Sequence, residues 1–525
     1  MRQEVGVQDL ALGIDLGTTA VKVGLFTVED GRTVAVSSQA YELSTPQPGW
    51  VELDAEVYFE RTVAGVRDAL RATPSGCRVV SIGLSSQGQT FVMLDAEGRP
   101  VRPAIVWIDT RATAESDELA ARLPREGFYR TTGIPFPNAV DSAPKILWVR
   151  RHEPDVFART AHVLVLPSYL AYRLTGRMVA DATNARSMAL LDDTGRWWDE
   201  AVDAVGLRME QLGEVVRPGT LIGPLTCEAA EAMGLPSGTP VSAGTNDQSA
   251  GALSMGNREP GRVSATVGTA MAIQCSLEST VDPFPSGLLV SRHPLGDHWL
   301  VLSYMKTAAI VLTWFRDAFA PGASYEDLAR EAADVPPGAG GLTCLPHLSG
   351  MGTPSFDGSV RGGFLSVGME HTRKHFVRAV LESVCFGARD GLDQMRLKWG
   401  RSPFSTTSVA PATALAEKGL RPHFSELTVS GGATRSDLWM QVLADCLGIP
   451  VTVAECGEAA CRGGAMLGLL GAGHPGALSW PASADDRAPR TFTPDPSTRA
   501  AYDGGYGRYL KAMDTLYPNA RETRA

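Results

Sequence analysis

The stretch GIDLGTTAVK, residues 13–22, ends an apolar run in an aspartate and follows it at once with a Gly-Thr-Thr turn. Gly17 permits a tight turn that a phosphate can approach, and the hydroxyls of Thr18 and Thr19, with nearby backbone N–H groups, can donate to phosphate oxygens. Asp15 at the strand end can hold a hydrated Mg²⁺, and Lys22 adds a cation close by. The same residues would also suit a hairpin whose turn is only structural. Neither GxGxxG nor the Lys-Ser/Thr signature of a Walker loop occurs here.

A second Gly-Thr turn, Thr266-Val267-Gly268-Thr269, follows another apolar segment, so two hairpins could face each other and grip one triphosphate. A third element is VSGGATRSDLWMQVLADCLG, in which Gly431 and Gly432 lie between a predicted strand and a helix. That helix should open near Ser436 or Asp437 and stop at Gly448, with Pro450 beyond. Side-chain-free glycines let a flat adenine lie against the backbone, although an ordinary strand-to-helix connection reads the same way.

The elements that must position these residues alternate between strand and helix. LALGIDLG, TTAVKVGLFTV and RTVAVSSQAYEL read as a β-meander, YFERTVAGVRDALRA has helical spacing, and VVSIGLSS reads as an apolar strand. A layered α/β domain follows. Near residue 241 the pattern restarts, since GRVSATVGTAMAIQC echoes IDLGTTAVKVGLF, which suggests two similar halves. HFVRAVLESVCFGARDGLDQM reads as a helix of the second half. The Pro-, Ser- and Ala-rich stretch over 402–425 reads as a surface insertion. A last helix is expected at AAYDGGYGRYLKAMDTLY.

Bulk properties exclude several classes. A chain of 525 residues exceeds what one core usually holds, so at least two domains are expected. A hydrophobic content of 44%, a charged content of 20% and a mean hydropathy of -0.04 are those of a globular protein. The formal net charge of -10 and the absence of Lys/Arg clusters speak against a nucleic-acid partner. No apolar run reaches membrane-spanning length, and Glu4 and Asp9 interrupt the region where a signal peptide would lie, so a cytoplasmic location without a membrane partner is expected. The eight cysteines lack paired spacing and read as reduced thiols.

Taken together, the three glycine elements in this order resemble the FGGY carbohydrate kinases of the actin and heat-shock ATPase superfamily, over roughly residues 9–475. GLSSQGQTFVMLD and PAIVWIDTRA resemble that family's sugar-binding strand and the segment after it, and GTNDQSAGAL resembles the segment with its catalytic Asp. LPSYLAYRLTGRMVADATNARSMALLD and LPHLSGMGTPSFDGSVRGGF resemble its other signatures, and the order and spacing look most like xylulokinases. The resemblance implies an α/β fold of two ribonuclease-H-like domains around a central cleft. Residues 1–254 would form a sugar-binding domain, 255–475 a nucleotide-binding domain and 476–525 a C-terminal tail. It implies ATP and Mg²⁺, a small-molecule sugar substrate, and leaves a homodimer open. Asp247 would be the general base and Asp15 the metal position. Gly17, Thr18, Thr19, Lys22, Gly268, Thr269, Ala309, Thr313, Gly431, Gly432 and Arg435 would meet the nucleotide. Gln87, Gly88, Gln89, Trp107, Asp109 and Asp247 would meet the sugar.

The residue types suit those roles. A carboxylate of ordinary pKa, roughly 4, can take the late proton of phosphoryl transfer if held within about 3 Å of the hydroxyl. Amides and carboxylates pair with vicinal hydroxyls, and an indole covers a C–H face. Asp247 could alternatively cap a helix, and Trp107 could be a core aromatic. The sequence departs from the xylulokinase pattern at Gln87-Gly88-Gln89, where those enzymes read Gln-Met-His, and at Gly350-Met351-Gly352-Thr353-Pro354, where the family reads Gly-Glu-Arg-Thr-Pro. Ala309 and Thr313 replace a Gly and a Gln of glycerol kinases. The acceptor expected is a ketopentose or related sugar or polyol. A chaperone or filament ATPase of the same superfamily would need a peptide-binding domain or polymer contacts, for the former of which the tail is short. A sugar sensor would need a DNA-binding segment or a lost catalytic carboxylate.

Overall fold

A computed structural model describes residues 7–278, 282–296, 298–399, 424–483 and 489–520. The chain divides into two compact units. The first consists of the chain through Ser254 with Ser291–Asp297 and Cys456–Asp486; the second holds Met255–Val290, His298–Glu455 and the chain from Arg487.

The first unit is built on a six-stranded sheet in the order Leu221–Pro224, Pro240–Asn246, Cys77–Ser86, Gln8–Leu16, Ala20–Thr27, Thr33–Ala40. The last three form the expected antiparallel meander, whereas Gln8–Leu16, Cys77–Ser86 and Pro240–Asn246 run parallel. Gln8–Leu16 is buried on both faces along all but its first two residues, which is why it reads as a continuous apolar run rather than an alternating one. The helix Ala55–Arg71 opens on an Asp54 cap that accepts from the Glu56 N–H, and it packs on the meander.

The other face of this sheet is covered by a segment from far along the chain. Gly24, Gly13, Gly83 and Ser242 stand side by side in register on four adjacent strands. That row of small residues forms a trough for the helix Ala459–Gly471, itself carrying Gly463, Gly464 and Gly468. A Cβ on Gly13 would lie 1.9 Å from the Cys461 carbonyl oxygen, and one on Gly83 would lie 1.9 Å from that of Gly464. Main chain therefore rests on main chain, and Ser242 Oγ donates to the Gly468 carbonyl at 3.2 Å. Cys456–Asp486, much of it inside the expected 255–475 domain, packs with the first unit.

The second unit repeats the topology. Its sheet runs Leu289–Arg292, Trp299–Met305, Met271–Leu277, Val263–Val267, Leu427–Ser430, Val451–Val453, Thr491–Phe492. Val263–Val267 is antiparallel to Met271–Leu277 and parallel to Leu427–Ser430, as Gln8–Leu16 is to its two neighbours. The echo between the two Gly-Thr segments thus reflects two sheets of one pattern. The expected helices appear at Arg373–Trp399 and Asp437–Leu447, the latter capped by Ser436 and ended by Gly448 at φ 68°. The tail is not a separate element. Thr491–Phe492 joins the second sheet, and the helix Arg499–Leu516 puts Tyr502, Tyr509 and Met513 into that unit's core. The insertion lies outside the described residues up to 423. None of the eight cysteines is joined in a disulfide. Among the described residues no helix is long and apolar enough to cross a membrane.

Candidate active site

In the first unit the chemistry gathers at the C-terminal ends of the three parallel strands, where open α/β sheets bind ligands. Register places Asp15 beside Ser85, and Ser85 beside Thr245, with Asp247 and Gln87 each two residues further on. Asp15 is buried and accepts from Ser85 Oγ at 2.8 Å. Burial raises its pKa against that hydrogen bond and the charge of Lys22. The Gly-Thr turn is closed by the Gly17 N–H donating to the Ala20 carbonyl at 3.1 Å, and the Tyr41 hydroxyl donates to the Gly17 carbonyl. Thr18 and Thr19 stand half-buried and exposed at the turn.

Lys22 is not a loose cation. Its Nζ lies 2.8 Å from Glu458 Oε2, on the segment leading into the helix Ala459–Gly471. Burial works against its charge, but the Glu458 hydrogen bond and charge, with Asp15 behind, leave its pKa raised. That ion pair ties the hairpin to the C-terminal segment.

Asp247 is the first residue of the helix Asp247–Ser254, and its Oδ1 accepts from the Gln248 N–H at 2.7 Å. The ordinary carboxylate pKa expected from sequence does not hold: burial, and after it the charge of Asp15, push Asp247 up to about 7. The strand end before it is fixed by Thr183, whose hydroxyl lies 2.9 Å from that of Thr245 and accepts from the Asn246 N–H at 3.1 Å. Thr183 is held in turn by Asp181, which caps the helix Ala182–Ser187.

The acceptor candidates divide. Gln87 is buried, its Nε2 donates to the Tyr58 hydroxyl at 3.3 Å, and its Oε1 has no hydrogen-bond partner among the described residues. Gly88 has no room for a side chain without displacement, since a Cβ there would meet Asn246 Nδ2 and Ser187 Oγ at 3.1 Å. Gln89 takes a left-handed backbone, φ 57°. Trp107 donates from Nε1 to Thr18 Oγ1 at 2.9 Å, linking the sugar segment to the phosphate hairpin. Asp109 is fully buried, and its carboxylate accepts from the Val51 N–H and the Arg111 side chain, with Arg111 also paired to Glu52. Its carboxylate shapes the loop that carries Trp107.

Two residues that sequence reasoning missed hold this loop. Lys145 is fully buried and donates to the carbonyls of Val106, Trp107 and Val140 at 3.1, 3.0 and 2.7 Å. Burial pulls its pKa down to about 7 against the charges of Asp109 and Asp141. Asp141, also buried, accepts from the Asn138 N–H at 2.9 Å and from Gln89 Nε2 at 3.3 Å, and burial raises it to about 6. The available signal was a lysine and an aspartate flanking an apolar helix start, Asp141-Ser-Ala-Pro-Lys145.

The second unit gathers its own set. The Gly268 N–H donates to the Ala270 carbonyl at 2.9 Å, and the N–H groups of Ala308 and Ala309 donate to the carbonyls of Thr269 and Gly268 at 2.8 Å. Ala309 thus meets the second Gly-Thr turn through its backbone, and the helix Ile310–Phe319 starts there. Gly431 must be glycine, since φ is 105° and a Cβ would lie 2.5 Å from the Val267 carbonyl oxygen. A Cβ on Gly432 would face open space, and Arg435 is exposed. Thr313 lies further along its helix, with its hydroxyl 2.8 Å from that of Tyr325.

The FGGY family of carbohydrate kinases matches with its N-terminal domain over residues 10–254 and its C-terminal domain over residues 265–472. The chain is 32% identical to the xylulose kinase of Escherichia coli strain K12, over 83% of this chain and 84% of that one. It is 30% identical to the glycerol kinase of Nitratidesulfovibrio vulgaris strain DSM 19637 / Miyazaki F, over 88% and 90%. The crystal structure of xylulose kinase from Rhodospirillum rubrum superposes with a TM-score of 0.84 at 29% identity, covering 98% of this chain and 100% of that one.

Proposed function

Since the chain belongs to the FGGY family of carbohydrate kinases, and is therefore a phosphotransferase with an alcohol group as acceptor, we propose that it moves the γ-phosphoryl group of ATP to a hydroxyl of a ketopentose or a related sugar or polyol in the cytoplasm. The observation that carries this reading is the placement of Asp247 and Asp15 at the parallel strand ends, where burial first and the charge of Asp15 after it push Asp247 up to about 7. A general base works best when its pKa lies near the operating pH.

In this reading Asp247 takes the proton of the acceptor hydroxyl through a carboxylate oxygen, and its main chain, fixed through Asn246 and Thr183, keeps that oxygen in place. Gln87 offers Oε1 to a hydroxyl, which would give that buried acceptor a donor. Trp107 presents its ring beside them, with its carbonyl pinned by Lys145. Mg²⁺ needs only one or two carboxylates beside phosphate oxygens, and the hard oxygens of Asp15 and Asp247, the charge of the first raising the cost of ionising the second, fit such a cation. When bound it would neutralise charge on the transferring phosphoryl group. Gly17, Thr18, Gly268, Thr269 and Gly432 are the positions proposed to meet the nucleotide.

The acceptor stays open between the substrates of the named relatives because Gly88 and Gln89 depart from the Gln-Met-His pattern. A coupled ADP-release screen over pentuloses, hexuloses, alditols and aldonates tests the proposal, and ADP release that no acceptor stimulates would overturn it. The metal and nucleotide assignments separate in a second experiment. Asp15→Ala is expected to raise the Mg²⁺ concentration for half-maximal rate by about 10-fold or more, since it removes a hard charged ligand. Gly432→Val should instead weaken ATP binding with and without Mg²⁺, and melt like the parent because its Cβ meets nothing within 4 Å. Parent-like ATP titrations for both variants would remove these positions from the site.

A further inference from the structure

Asp141 occupies the N-cap position of the helix Ser142–His152, yet its side chain makes no capping hydrogen bond. An aspartate there ordinarily accepts from the N–H groups of the first turn. Here the carboxylate is turned away from the helix, with Oδ2 on the Asn138 N–H at 2.9 Å and Oδ1 on Gln89 Nε2 at 3.3 Å. The next residue acts on the same target, since Ser142 Oγ donates to the Gln89 carbonyl at 2.9 Å. From the other side, the Gln89 N–H donates to Ser187 Oγ at 3.0 Å.

Gln89 is thus held at its N–H, its carbonyl and its amide nitrogen, in a backbone conformation of φ 57° that a non-glycine residue adopts only when its surroundings impose it. Gly88, beside it, lies against Asn246, the neighbour of Asp247, so the clamped amide belongs to the acceptor region. A primary amide has one oxygen and one nitrogen, and the carboxylate of Asp141 can only accept. With Nε2 donating to Asp141, the amide oxygen lies on the opposite branch of the planar group, where it is able to accept from a ligand.

We propose that Asp141 is a positioning residue that fixes the Gln89 amide with its oxygen toward the acceptor, so that the site takes a sugar or polyol carrying a hydroxyl, a hydrogen-bond donor, at the carbon Gln89 meets. The inference rests on the kinase reading above. It adds a residue outside the sugar-binding strand and a polarity for the subsite.

Swapping groups across the pair tests it. Asp141→Asn retains the shape but has one acceptor oxygen for two donors, so the amide of Gln89 is no longer oriented. Gln89→Glu sets two carboxylates against each other. In the double variant the new amide nitrogen donates to the new carboxylate, which again turns an acceptor oxygen to the ligand. Each single variant should raise KM for the acceptor by about 10-fold, with kcat and KM for ATP within about 3-fold of the parent, and the double variant should return to within about 3-fold of the parent KM. Thermal melts accompany the assay, and if Asp141→Asn fails to fold, Gln89→Glu alone decides. A parent-like KM in a folded single variant, or a double variant that folds and keeps the raised KM, overturns the role of Asp141. A parent enzyme that releases no ADP with any acceptor overturns the kinase reading and this inference with it.

Discussion

Replacing Asp247 by Asn should lower turnover by at least about 10²-fold while the protein folds and binds both substrates, which is the usual scale for removing a general base. The exchange is nearly isosteric, and the Gln248 N–H can still be accepted by the amide oxygen. What is lost is the proton acceptor. Steady-state kinetics on the acceptor found by the screen, with acceptor affinity by calorimetry, separates binding from chemistry. In the parent, kcat/KM for the acceptor should rise with pH and level off above about 7, because Asp247 holds a proton below that pH. The variant should lose this limb.

Stability must move the other way. Asp247 has a raised pKa in the folded state, so the native protein binds more protons than the unfolded chain between roughly pH 4 and 7. Its contribution therefore falls as pH rises through that window. Asp247→Asn should melt no lower than the parent at pH 8, with any gap closing toward pH 4. Parent-like turnover in a folded variant would take Asp247 out of the mechanism.

The second large effect is structural. Gly83→Ala would set a methyl group 1.9 Å from the Gly464 carbonyl oxygen and 2.7 Å from the Gly468 nitrogen. Neither neighbour is a flexible side chain: one wall is a central strand and the other a helix backbone, so relief requires lifting the helix off the sheet. We expect a loss of about 3 kcal/mol or more, at the upper end for overpacking. For a unit of this size that corresponds to a melting transition lowered by roughly 6–12 °C. Gly127→Ala provides the control, since position 127 lies in the helix Arg125–Thr132 and its Cβ would meet nothing within 4 Å. It should be neutral or stabilising by up to about 1 kcal/mol. Equal melts for the two variants would mean that the helix Ala459–Gly471 does not rest on Gly83.

The loss at Gly83 should also reach catalysis, because the same helix is preceded by Glu458, the partner of Lys22. A helix displaced from the trough would release Lys22 beside Asp15. A raised Mg²⁺ requirement in Gly83→Ala, measured below its melting transition, is the expected sign of that coupling.

Which residues could do chemistry was legible in the sequence wherever the signal was local. The Gly-Thr turns, the aspartates at strand ends and the Gly-Gly connection depend on neighbours within a few positions, and the strands and helices around them appear where apolar runs and helical spacing put them. The repeat of the Gly-Thr pattern likewise corresponds to two sheets of one topology. Tertiary structure alone decided the state of those residues. Lys22 meets a glutamate 436 positions away, Asp109 disappears behind Arg111, Asp141 leaves its helix to hold Gln89, and Asp247 acquires a pKa of about 7. Each outcome turns on desolvation and on charges or hydrogen-bond partners from distant parts of the chain, which no local pattern encodes. The same reason accounts for the helix Ala459–Gly471: its glycines are visible in the sequence, but the row of glycines that receives them exists only once three strands are in register.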